Sequence, residues 1–130
     1  MPVRARPLSP HLQIYRWQVG STLSILHRIT GLARALGFLA LTYWLVALAG
    51  GAAAYSSAAR FFAGPLAGAA LVGWTFAFFY HLLNGIRHLA WDVGGGFDRA
   101  HSRLSGLLAM LAAVLLTAGL WGFLWHVARP

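Results

Sequence analysis

Two histidines with a glycine between them pose the chemical question in this chain. In the stretch HLLNGIRH, His81, Gly85 and His88 lie at offsets of four and seven, which puts all three on one face of a helix. His81 precedes Arg87 by six residues, about 9 Å of helix axis, so it sits inside an apolar run but near its charged end. A neutral imidazole at that depth is available as a ligand to haem iron. Gly85, lacking a side chain, leaves room for a flat macrocycle one turn away. The alternative is a histidine hydrogen-bonded to a neighbouring helix, and periodicity leaves both open.

A second polar stripe occurs upstream in SILHRITG. Ser24, His27, Arg28 and Gly31 follow offsets of three, four and seven and so share a face. If this segment enters a membrane from the side toward which the His81 helix leaves, the two stripes meet at similar depth. They then offer a hydroxyl, an imidazole and a guanidinium close to His81. Arginine suits the carboxylates of haem propionates, and a serine hydroxyl and an arginine can both donate to the carbonyl oxygens of a quinone. Taken alone, Arg28 reads more readily as a snorkelling topology determinant, and Ser24 and His27 on the same face shift the balance toward a site. A six-coordinate haem needs a second axial ligand, from His27 or from a partner chain. His11 falls in a polar tail, His101 in a loop, and His126 at the opposite end of the molecule. Asp92 is expected to form a structural ion pair, with Arg87, Arg28 or another basic group, and Asp98 belongs to a loop.

The elements that must position these residues are membrane helices. Of 130 residues 59% are hydrophobic and only 9% charged, too apolar for an ordinary soluble domain of this length. Three apolar segments each provide the roughly 20 residues that a helix needs to cross a bilayer. The spans are expected at about 27–54, 65–91 and 104–127, after an N-terminal segment of residues 1–23. Pro65 can open the second helix at its first turn, and the glycines at 94–96 break the chain before the third. The fold class is therefore all-α, a single domain over residues 1–130 built as a bundle of three transmembrane helices. The absence of cysteine excludes disulfides, thiolate metal sites and covalent haem attachment, so any metal here is held by histidine.

The net charge of +8 comes from arginines at the ends of apolar runs. That placement points to membrane topology and anionic lipid, and nucleic acid is discarded as a partner. Arg4, Arg6, Arg16 and Arg28 precede the first span and Arg87, Arg99 and Arg103 surround the second connection, against Arg60 and Arg129 elsewhere. The positive-inside rule then puts the N-terminus in the cytoplasm. The first thirty residues do not read as a secretory signal or a mitochondrial transit peptide. A multi-pass protein of the bacterial inner membrane is expected.

At these residues the chain resembles the cytochrome b subunit of succinate dehydrogenase, the large membrane anchor of respiratory complex II. RPLSPHLQIY at 6–15, SILHRITG at 24–31 and HLLNGIRHLAWD at 81–92 carry the resemblance, which covers about residues 6–98. It implies one haem b, shared with a small membrane anchor subunit that supplies the second ligand, with His81 as the metal ligand on this chain. His27, Arg28 and His88 would lie toward the propionates, with Gly31 and Gly85 also lining the cofactor, and Ser24 and Arg28 would help bind ubiquinone. It further implies an electron-transport role in the tricarboxylic acid cycle beside flavoprotein and iron–sulfur subunits. Succinate oxidation itself belongs to those partners, so no catalytic residue is assigned to this chain. The rival readings are the anchor of a quinol–fumarate reductase and a non-redox membrane assembly subunit.

Overall fold

The computed structural model describes residues 14–128. Four helices follow one another: α1 (Val19–Ala49), α2 (Ala52–Phe62), α3 (Pro65–Asp92) and α4 (Arg99–Val127). Helices α1, α3 and α4 are each long and apolar enough to cross a membrane. At 31 residues α1 extends about 46 Å, well beyond the roughly 30 Å of a hydrocarbon layer.

Each boundary has a local cause. The Trp17 indole donates to the Thr22 hydroxyl at 2.5 Å across the first turn of α1. Hydropathy runs on through residue 54, but the helix stops at Ala49 because Gly51 adopts φ +90°, a conformation that glycine accepts without steric cost. The chain then restarts as the short α2, which apolar averaging merges with the first span. Tyr43 packs against Phe61 and Phe62, and Trp44 against Tyr55, laying α2 on the end of α1. Pro65 stands in the first turn of α3, where its missing N–H costs nothing. Gly94 and Gly96, both at positive φ, turn the chain after α3. Asp98, expected as loop, caps α4 by accepting from the backbone N–H of His101 at 3.0 Å.

Helix α3 lies between α1 and α4 and runs antiparallel to both. His81 meets His27 and Trp74 meets Arg34 along one side, while Arg87 meets Ser102 and Thr75 meets Trp121 along the other. Small residues permit the close approach, as is common where helices pack in lipid. Gly106, Ala109, Ala113 and Thr117 form the buried stripe of α4. On α1, Gly37 leaves the notch that receives the Trp74 indole, since a Cβ there would collide with it. Little else is buried, and large apolar side chains such as Leu39 (68% exposed) face outward.

One polar network ties the three long helices together at the end that carries Arg28, Arg87, Arg99 and Arg103. Tyr80 and Asn84 are almost fully buried. The Tyr80 hydroxyl donates to the Leu23 carbonyl at 3.0 Å, and the Asn84 amide donates to the Tyr80 carbonyl. Arg87 then donates to Asn84 Oδ1, to Ser105 Oγ at 3.1 Å and to the Ser102 carbonyl at 3.0 Å, with its guanidinium 4.8 Å from the Trp91 ring centre. This occupation of Arg87 corrects the expected ion pair: Asp92 has no ion-pair partner among the described residues, and the guanidinium offered to it is spent on α4. Arg87→Met should destabilise the chain by about 2 kcal/mol, because charge-assisted bonds are lost and Asn84 keeps an unpaired buried oxygen. Arg87→Lys should recover only part, lacking the planar fork. Thermal unfolding in detergent checks both.

The cap of α4 should respond to pH. The His101 backbone N–H holds the Asp98 carboxyl below its ordinary range. The cap is therefore complete above about pH 4, the unfolded value, and is lost as pH falls through the lower folded value. The amide resonance of His101 should report that step, and Asp98→Ala should abolish it.

Candidate functional site

The two polar stripes meet across the α1–α3 seam. The His27 ring stands between the rings of His81 and His88, with centroids 4.0 and 4.9 Å away and planes tilted by only 19° and 20°. His81 Nδ1 lies 3.1 Å from the His27 carbonyl oxygen. That carbonyl also accepts from Thr30 Oγ1 at 2.9 Å, and the same hydroxyl is 3.5 Å from His81 Nδ1. A carbonyl oxygen can only accept, so Nδ1 carries the proton and Nε2 keeps its lone pair. The same logic applies to His88, whose Nδ1 donates to the Asn84 carbonyl at 2.7 Å.

The two readings of His81 left open by periodicity are thus compatible. The ring is hydrogen-bonded to a neighbouring helix through one nitrogen and presents the other for coordination. An orienting Nδ1–H···O=C bond is the usual companion of a metal-bound imidazole. Two glycines flank the ring differently. Gly31 packs against it so closely that a Cβ would lie 3.1 Å from His81 Cε1, whereas a Cβ on Gly85 would touch nothing within 4 Å. Close contact on one side and open space on the other suit a planar group entering from the Gly85 side. His27 Nδ1 is buried and has no hydrogen-bond partner, a donor or acceptor still available to a ligand. These observations fit a haem.

Ser24 and Arg28 occupy the edges of the α1 stripe. Ser24 lines a cavity of about 680 Å³ at the arginine-rich end, together with Trp17, Leu23, Arg87, His88 and Trp91. Arg28 is exposed, does not line that cavity and forms no hydrogen bond or ion pair among the described residues. His11 lies outside the described residues. His101 pairs with Asp98 at 2.5 Å, and His126 stands at the far end of α4.

Tyr80, Asn84 and Thr30 have structural roles that the histidine pattern did not single out. Their signal was present in the spacing: Thr30 is three residues past His27, and Asn84 three past His81. Arg34 was hidden differently, since the strongly apolar residues around it in LARALGF raise the mean hydropathy of any window that contains it.

The sequence matches the family model for the succinate dehydrogenase/fumarate reductase transmembrane subunit over residues 2–128. It is 43% identical over 117 residues to the succinate dehydrogenase cytochrome b556 subunit of Rickettsia felis, covering 89% of this chain and 90% of that protein. The corresponding subunit of Paracoccus denitrificans is 42% identical over 106 residues, covering 80% of this chain and 82% of that one. The mitochondrial cytochrome b560 subunit of Sus scrofa is 38% identical over 117 residues, covering 88% and 69%. Three apolar spans and bacterial relatives agree with a multi-pass location in the inner membrane. The chain belongs to the succinate dehydrogenase/fumarate reductase family of transmembrane subunits, cytochrome b proteins that form part of a succinate:quinone oxidoreductase.

Proposed function

We propose that this chain holds one haem b through His81 Nε2 and forms part of the site at which ubiquinone is reduced with electrons from succinate. The observation that carries the reading is the His81 Nδ1 bond to the His27 carbonyl, which fixes the ring and leaves Nε2 as the coordinating atom. As the family resemblance implies, the small anchor subunit would supply the second ligand; His27, stacked flat against His81, is not placed to serve as one. His27 and Arg28 would supply donors for the propionates with His88 beside them, Gly31 makes room for the His81 ring, and Gly85 supplies clearance. When bound, the haem provides a one-electron centre within the low-dielectric layer.

Ser24 and Arg28 orient the quinone at the arginine-rich end. Both donate to carbonyl oxygens, and the charge of Arg28 favours the negative charge that builds on the headgroup before protonation. The cavity that Ser24 lines opens at the end where protons are available from water, as a two-electron, two-proton reduction requires. In this reading that end faces the cytoplasm, against the iron–sulfur subunit that delivers electrons from the flavoprotein.

In the assembled complex, Arg28→Leu and Ser24→Ala should each lower succinate–quinone reductase activity by at least about tenfold. Succinate oxidation by a soluble dye should be retained. Normal quinone reduction in Arg28→Leu would remove its assignment. His81→Tyr should abolish or displace the reduced-minus-oxidised b-type spectrum of the purified complex, and an unaltered spectrum would rule out axial ligation.

A further inference from the structure

Arg34 is the sixteenth of the 31 residues of α1, about 9 Å further along the helix than Arg28. It therefore lies inside the apolar layer and not at its margin. Its Nε is buried and has no hydrogen-bond partner, and its side chain makes no hydrogen bond or ion pair among the described residues. Its guanidinium carbon stands 5.9 Å from the ring centre of Phe38. A snorkelling arginine carries its nitrogens to water along an exposed stem. A covered Nε without a partner is a different situation.

No carboxylate of this chain can neutralise that charge. The whole sequence contains two acidic residues, Asp92 and Asp98. Trp74 donates to the Arg34 carbonyl and so marks its depth on α3, and Asp92 lies 18 residues further on, about 27 Å along the helix. Asp98 is engaged at the start of α4. Arginines within membranes are ordinarily paired. One turn from Arg34 on the same face, meanwhile, Phe38 is still 42% exposed, so the helices of this chain leave that side of α1 partly uncovered.

We propose that Arg34 is the docking point for a transmembrane helix of another subunit that carries an Asp or Glu at the same depth. The ion pair forms only on assembly, with Phe38 packing beside it. The proposal rests on the reading of this chain as one subunit of a membrane complex, and it adds the chemistry by which the neighbouring helix is recognised. An unpaired arginine would also make the isolated chain a poor end-state, so the contact favours the complete assembly.

The test co-expresses Arg34→Met with the other subunits and reads three quantities: accumulation of this chain in membranes, retention of the other transmembrane chain on purification through a tag on this one, and b-type haem content. Arg34→Met should accumulate normally but retain the partner roughly tenfold less. Changing each Asp or Glu in the partner's spans to Asn or Gln should reveal one position that reproduces the loss. Combining that change with Arg34→Met should restore assembly, since neither charge is then left alone. If Arg34→Met does not accumulate, the partner-side scan reads the same contact. The proposal is overturned by normal retention in Arg34→Met, by a partner scan with no effect, or by loss of haem with the partner retained, which would make a haem carboxylate the counter-ion. A wild-type complex with neither partner nor haem would refute the underlying functional reading instead.

Discussion

The hydrogen bond between His81 Nδ1 and the His27 carbonyl organises the candidate site, because a polar group in an apolar layer must find its partner within protein. One bond accomplishes three things at once. It ties α3 to α1, chooses the tautomer of His81, and restricts the rotation of its ring. The Thr30 hydroxyl donates to the same carbonyl, which is thus shared between the helix's own bonding and two side chains. A side chain at position 31 would crowd this bond, since a Cβ there would lie 3.1 Å from the His81 ring.

The same rule explains the division of labour between the two arginine-bearing ends of α3 and α1. Arg87 engages each of its three nitrogens, with Ser105, Asn84 and the Ser102 carbonyl, and serves as a strut between helices. Arg28 is exposed and Arg34 is half-buried without a partner. Chemically identical side chains thus fall into structural and available groups according to whether their donors are already taken. In a chain with so few acids, this accounting identifies where outside groups are needed.

Much of the architecture could be read from residue order. Three apolar runs, Pro65 at a helix start and the glycines at 94–96 announced the long helices and one of their breaks. The offsets of His81, Gly85 and His88, and of His27 and Gly31, correctly placed the two stripes in register. What escaped was whatever depends on a backbone dihedral or a third helix. Gly51 ends α1 through its φ, which an apolar window cannot register, so α2 was merged with its neighbour. The partner of Arg87 came from α4, whose serines at 102 and 105 gave no sign of facing an arginine. The ion pair expected of Asp92 accordingly finds no partner among the described residues.

The indole of Trp74 seated in the Gly37 notch lies some 15 Å along α1 from His27, at ten residues' remove. Sliding α1 past α3 by a single turn would shift the histidines by about 5.4 Å and would drive that ring into a neighbouring side chain. An aromatic key remote from the histidines thereby governs the vertical alignment of imidazole and carbonyl, so the hydrogen-bond geometry of the candidate site follows from a steric fit nearer the middle of the bundle.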